Sequence, residues 1–136
     1  MSDTTIRVRF AETDQMGIAH HSAYVVWCEA GRVEWLRRRG LSYRAMEDEG
    51  TSLAVSHIGL DYRAAARFDD ELVVETRLEE ARSRRVAFSY RISRPSDGAL
   101  VATGRSEHVP TDADGHAVRL PERWLAPLQD LLATHP

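Results

Sequence analysis

The chain is 136 residues long, with 43% hydrophobic and 29% charged residues, a composition that suits one soluble globular domain with its own core. Its formal charge of -3 gives no general attraction to nucleic acid or anionic membranes, and no apolar run reaches the length of a membrane span. The single cysteine, Cys28, excludes an intrachain disulfide and a cysteine-based zinc cluster, and the absence of lysine and asparagine excludes Schiff-base lysine chemistry, a P-loop lysine and a Cys-His-Asn triad.

Residues 5–10 alternate Ile6, Val8 and Phe10 with Thr5, Arg7 and Arg9, which predicts a strand. The opening residues carry no signal-peptide pattern, so the expected compartment is the cytoplasm. Residues 11–22 are polar, contain Gly17 and the pair His20-His21, and read as a loop. Ser22 is a suitable cap for a helix running to about Arg39, with Gly40 as its stop. Val25, Val26, Trp27, Cys28, Ala30, Val33, Trp35 and Leu36 cover most of that helix's circumference, and a helix apolar nearly all round is expected to be buried. Arg37, Arg38 and Arg39 suit its negative end. A short helical turn is expected over 43–49.

Strand periodicity then takes over. Leu53, Val55, Ile58, Leu60 and Tyr62 mark a strand over 52–63, Leu72, Val74, Thr76 and Leu78 one over 71–79, and Val86, Phe88, Tyr90 and Ile92 one over 85–93. A further strand runs over 99–109, after the turn chemistry of Pro95-Ser96-Asp97-Gly98. Pro121 opens a last amphipathic helix with Trp124, Leu125, Leu128, Leu131 and Leu132 on its apolar side. Short connections favour antiparallel pairing, and one buried helix against such a sheet is α+β architecture. The whole of 1–136 is expected to form one domain.

The chemistry is concentrated in RFAETDQMGIAHHSAYVVWCEAGRVEWL, residues 9–36. Asp14 precedes Gly17 and lies a few residues before the helix. Opening N–H groups of a helix lack internal partners and can polarise a carbonyl oxygen, while a nearby carboxylate can attack that carbonyl or activate water. Taken by residue type alone, an aspartate in a polar loop is more often a turn former.

The segment resembles the active-site stretch of the 4-hydroxybenzoyl-CoA thioesterase family, including the bacterial acyl-CoA thioesterases linked to the Tol–Pal system. Arg7 or Arg9, Glu12-Thr13-Asp14, Gly17, His20-His21, Tyr24, Glu29, Arg32 and Trp35-Leu36 carry the likeness. A second block, residues 61–74, matches through Tyr62, Ala65-Ala66, Arg67 and Asp70. Ala65 stands where the family usually has proline, and His20 where it usually has an aromatic residue.

The resemblance implies a hot-dog fold, a long helix wrapped by a curved antiparallel sheet of about five strands, assembled as homodimers or homotetramers with the site at the dimer interface. It implies hydrolysis of an acyl-CoA thioester without a cofactor, coenzyme A being part of the substrate. Asp14 would be nucleophile or general base, with Gly17 in its turn and the His21 backbone N–H polarising the thioester carbonyl. His20 and Tyr24 would line the substrate site. Arg63 and Arg67, with the cluster Arg82, Arg84 and Arg85, are candidates for the coenzyme A phosphates. No metal is expected, because only Glu12 and Asp14 are close enough in sequence to join His20 and His21 in a site. Cys28 is expected to pack, and Glu29 to pair with Arg32. Two other functions are open. One is an acyl-CoA-binding protein without turnover. The other is an acyl-thioester hydratase or dehydratase, although the Asp-x-Asn-Pro-x-His segment of those enzymes is absent.

Overall fold

The computed structural model describes residues 2–134. β1 (Ser2–Arg7) leads through a 3-10 turn at Phe10–Glu12 into α1 (His21–Arg38) and the short α2 (Tyr43–Asp48). Four long strands follow, β2 (Ser52–Tyr62), β3 (Glu71–Arg82), β4 (Arg85–Arg94) and β5 (Ala99–Thr111), and then α3 (Glu122–Thr134). All five strands join one antiparallel sheet in the order β1-β3-β4-β5-β2. A long helix laid across such a sheet, with a further C-terminal helix, is the hot-dog arrangement.

Alternation decides which side of the sheet meets the helix. Leu72, Val74, Thr76 and Leu78 of β3 and Val86, Phe88, Tyr90 and Ile92 of β4 are all buried, and the register sets Phe88 between Leu78 and Ser106. Full burial of a side chain such as Leu36 or Phe88 contributes on the order of 2–3 kcal/mol. α1 crosses β1 and β3, and Gly31 allows the close approach. A Cβ at that position would stand 2.6 Å from Thr76 Oγ1 and 2.9 Å from Val74 Cγ1. α3 buries Leu125 and Leu128, and Gln129 Nε2 ties it to the end of β3 by donating to the Ala81 carbonyl at 3.2 Å.

Three expectations need correction. α1 is buried on one flank only, through Ala23, Tyr24, Trp27, Cys28, Gly31, Trp35 and Leu36, while Val25 and Val26 are 38% and 51% exposed. A five-stranded sheet covers one side of a helix and does not encircle it. The cap is His20, whose ring Nδ1 accepts from the Ser22 N–H at 3.2 Å. β1 ends at Arg7 rather than running to Phe10. The chain leaves the ladder at Val8, which exchanges hydrogen bonds with Asp69 and Asp70, and Phe10 is 77% exposed. The stop of α1 is as expected. Gly40 has φ +75°, and the Leu41 N–H returns to the Leu36 carbonyl at 2.9 Å, closing the helix end.

β2 occupies a sheet edge. Its inner row, Leu53, Val55, Ile58, Leu60 and Tyr62, follows the register with β5 across a bulge between Val55 and His57. α1 leans towards β1 and β3, so this row is covered incompletely. Val55 is 52% and Tyr62 49% exposed.

Candidate active site

The segment before α1 is a small hairpin. Thr13 bridges Ala19, the Asp14 N–H donates to the Ile18 carbonyl at 2.9 Å, and the Gly17 N–H donates to the Asp14 carbonyl at 3.0 Å. Gly17 takes φ +74°, a conformation that closes this turn and suits glycine. Asp14 holds the tip through Oδ1, which accepts from the N–H groups of Met16 (2.8 Å) and Ile18 (3.3 Å). Its Oδ2 has no hydrogen-bond partner among the described residues. The turn-forming role and a chemical role are therefore compatible, one for each oxygen.

The hairpin is docked on the 63–70 segment. Ile18 bridges Arg67, the Ala19 N–H donates to the Ala66 carbonyl at 2.7 Å and the Phe68 N–H to the Gly17 carbonyl at 3.3 Å. Arg94 braces that segment from β4, donating to the Ala65 carbonyl at 2.8 Å and pairing with Asp70 at 3.1 Å.

The helix start is held as firmly. The His20 N–H donates to the Glu12 carbonyl at 2.7 Å, and the Tyr62 hydroxyl donates to the His21 carbonyl at 3.1 Å. The His21 N–H has no acceptor among the described residues, as expected for the first turn of a helix. His20 and His21 lie ring on ring, 4.1 Å between centroids. Because His20 Nδ1 accepts from Ser22, the neutral ring carries its proton on Nε2. An open pocket of about 380 Å3 lies beside the helix start, lined by Arg9, Glu12, Thr13, His20, Ser22 and Val26.

Glu12 is a residue that sequence reasoning undervalued. Its carboxylate accepts from the Arg9 N–H (2.8 Å) and from Trp27 Nε1 (2.9 Å). Burial alone would raise its pKa, but these bonds and the Arg9 side chain outweigh burial and hold it below the ordinary carboxylate value. It ties the turn after β1 to the helix. The Arg9/Glu12 spacing, three apart across a short turn, is the local signal that was available.

Tyr24 is buried, with its ring 4.7 Å from Trp27 and 4.9 Å from Tyr62, and burial raises its hydroxyl pKa. Cys28 is fully buried, and burial pushes its thiol up to about 12, so it packs and does not ionise. The expected Glu29–Arg32 pair is absent among the described residues. Arg32 Nη1 donates instead to the Tyr90 hydroxyl at 3.0 Å, because the helix turns Arg32 towards the sheet.

Asp14, Gly17, His20, His21, Tyr24, Arg63 and Arg67 thus share one end of the sheet. Arg82, Arg84 and Arg85 lie at the far end of β3, on the order of 35 Å along the strand within one protomer. There Arg82 and Arg85 pair with Glu80, and Arg85 also with Glu107. Among the described residues, Asp112, Asp114 and His116 are the group able to share an ion, with ligand atoms within 4.8 Å of one another. They form an exposed turn in which Asp112 Oδ1 accepts from two backbone N–H groups. No described helix is long and apolar enough to cross a membrane.

Comparison with known proteins agrees with this fold. A family model described as the thioesterase-like superfamily matches residues 8–128. A Bacillus subtilis protein named as a candidate acyl-CoA thioesterase, YneP, is 34% identical over 114 residues, which is 84% of this chain and 82% of that protein. The crystal structure of hypothetical protein TT1821 from Thermus thermophilus superposes with a TM-score of 0.90 at 44% identity, covering 96% of this chain and 99% of that one. A DHNA-CoA thioesterase from Staphylococcus aureus superposes with a TM-score of 0.89 at 28% identity, covering 98% and 89%. With a hot-dog sheet, a carboxylate hairpin before the central helix and a family match over most of its length, the chain belongs to the thioesterase-like superfamily.

Proposed function

We propose that this protein is an acyl-CoA thioesterase that hydrolyses an acyl-CoA to a free carboxylic acid and coenzyme A. The observation that carries this reading is the pairing, among the described residues, of an Asp14 oxygen without a partner, at the tip of a braced hairpin, with a helix start whose His21 N–H has no acceptor. The His21 N–H polarises the thioester carbonyl and stabilises the oxyanion formed on attack. Asp14 either attacks the carbonyl carbon directly or takes a proton from the water that does so. Collapse of the tetrahedral species breaks the C–S bond, and coenzyme A leaves as thiolate without a strong general acid. Within the superfamily, the pattern of residues 9–36 supports the 4-hydroxybenzoyl-CoA thioesterase-like, Tol–Pal-associated type.

The working form is a homodimer or a homotetramer. β2 is an eleven-residue edge strand without proline, an open row of backbone donors and acceptors that calls for a partner strand. Joining two β2 edges covers Val55 and Tyr62, and Val25 and Val26 on the outer flank of α1 offer a second apolar contact. The site completes itself at that interface. His20 and Tyr24 shape the substrate entrance, and Arg63 and Arg67, beside the hairpin, receive the coenzyme A phosphates. Arg82, Arg84 and Arg85 reach coenzyme A only if a partner subunit brings them to it. The reaction needs no metal or cofactor, and the cytoplasm, where acyl-CoA esters are made and used, is its location.

The test is thiol release from a panel of acyl-CoA esters, run beside Asp14→Asn. Asn keeps an oxygen for the Met16 and Ile18 N–H groups but lacks charge, so the fold is retained and turnover falls by about 100- to 10,000-fold. Equal rates in the two proteins would reject Asp14. Saturable binding without thiol release would reject hydrolysis and favour an acyl-CoA-binding protein, and loss of enoyl absorbance would identify a hydratase.

A further inference from the structure

A second set of polar groups lies away from the hairpin and has no part in the chemistry above. Arg32 Nη1 donates to the Tyr90 hydroxyl at 3.0 Å, Tyr90 meets Ser106 Oγ at 2.6 Å, and Ser106 meets His108 Nε2 at 2.8 Å. Tyr90, Ser106 and His108 are buried. His108 Nδ1 is buried without a hydrogen-bond partner among the described residues. Four apolar side chains at these positions would pack more simply, and buried polar chains of this kind are costly unless satisfied.

The chain of hydrogen bonds begins at a cavity. A cleft of about 170 Å3 lies between α1 and β2, lined by Glu29, Arg32, Leu36, Tyr43, Leu53 and Val55. At about 30 Å3 per water-sized group it has room for roughly five or six such groups, suiting the end of an acyl group rather than a whole coenzyme A. Arg32 is half-buried in its wall. Among the described residues, four of its five N–H groups have no acceptor and it has no ion pair. Glu29 lines the same cleft without pairing to it. A half-buried guanidinium with free donors, in a wall that also carries Glu29 and Tyr43 beside Leu36, Leu53 and Val55, can receive an anion.

The cleft lies on the same α1–β2 seam as the start of the helix, although no residue lines both it and the pocket at the helix start. At one end of the seam between α1 and β2, the Tyr62 hydroxyl touches the His21 carbonyl. At the other, Leu53 and Val55 face Arg32. Eleven residues of helix separate His21 from Arg32, ~16 Å along the axis, and the arginine side chain leans back towards the helix start. The remaining span is on the order of 10 Å, about eight bonds of an extended chain at ~3.5 Å per three bonds.

We propose that Arg32 is a specificity-determining residue, and that the acyl group this protein takes ends in a carboxylate bound by its guanidinium. Tyr90, backed by Ser106 and His108, holds the guanidinium at the cleft wall. This rests on the thioesterase reading, so binding and hydrolysis are measured separately. Hydrolysis-resistant thioether analogues of suberyl-CoA and octanoyl-CoA are titrated by calorimetry into the wild type, Arg32→Met and Arg32→Lys, and thiol release is followed with the parent thioesters. The suberyl analogue should bind the wild type at least about tenfold more tightly than the octanoyl analogue. Arg32→Met should abolish that preference and Arg32→Lys should keep part of it. Equal affinities in the wild type, tighter octanoyl binding, or a preference that survives Arg32→Met would overturn the inference, whether or not thiol is released. Absence of thiol release from every thioester would overturn the hydrolytic reading alone.

Discussion

Gly31→Ala sets two effects of opposite sign against each other. Alanine is the better helix former by about 1 kcal/mol, so an exposed mid-helix glycine would be improved by the change. At this position the added Cβ would stand 2.6 Å from Thr76 Oγ1 and 2.9 Å from Val74 Cγ1. Neither neighbour can swing into solvent, since Thr76 is 3% and Val74 0% exposed. Forcing a methyl into such packing costs typically 1–3 kcal/mol, and pushing α1 off β3 puts the figure at the upper end. The net expectation is destabilisation by about 1–2 kcal/mol. It is read as a lower urea midpoint at unchanged slope, at fixed protomer concentration because assembly contributes to apparent stability. The helix start moves with the helix, so thiol release should fall more than the unfolded fraction explains. A variant as stable as the wild type or more so would refute the close helix–sheet contact.

Other outcomes follow from the same structure. Glu12→Gln removes the charge that accepts from Arg9 and Trp27 and should cost about 1.5–3 kcal/mol in denaturant titration, with lower turnover as the hairpin loosens. His108 is held neutral by burial, with Arg32 adding to the effect, and its pKa falls to about 4. The unfolded chain therefore binds the extra proton first, so stability should decline as pH falls from about 6.5 to 4, by about 3 kcal/mol in all. His108→Leu should flatten that window. Glu12, with a depressed pKa, contributes stability present above about 4.5 and lost as pH falls through its folded value, which separates the two effects. Exhaustive chelation should leave thiol release unchanged, and a loss restored by one metal ion would contradict the metal-free mechanism.

Strands β3, β4 and β5 were legible because apolar side chains recur along each and face the core of its own chain, although β3 and β5 run on to Arg82 and Thr111, past the expected ends. The Pro95–Gly98 turn was legible because its residues demand it, and the structure returns the Gly98 N–H to Arg94 at 2.8 Å. Periodicity failed where it continued past the element. Ile6, Val8 and Phe10 alternate without interruption, yet the ladder ends at Arg7. It also misjudged α1, because hydrophobicity at Val25 and Val26 does not say whether the covering surface belongs to the same chain. The segment around Asp14 was legible as a polar loop before the helix, but not as the hairpin that the Thr13–Ala19 bridge makes of it. The partners that brace it were not legible. Glu12 to Trp27 spans 15 residues and Tyr62 to His21 spans 41, distances at which local pattern carries no information.

The wiring of the sheet also sets an order of assembly. β3, β4 and β5 are joined by tight turns, and their ladders close short loops. β1 must find β3 across the length of α1 and β2, with Arg7 opposite Glu71, and β2 must find β5, with Ser52 opposite Thr111. Closing a longer loop carries a larger entropic cost, which is met before the contacts reward it. The central meander is therefore expected to form first and the two outer strands to dock last. Both outer strands flank the Asp14 hairpin, one leading into it and the other holding the helix start through Tyr62. In a refolding experiment the far-ultraviolet signal of the sheet should recover ahead of thiol release, and simultaneous recovery would contradict that sequence of events. The last part of the molecule to become ordered would then be the part that performs the reaction.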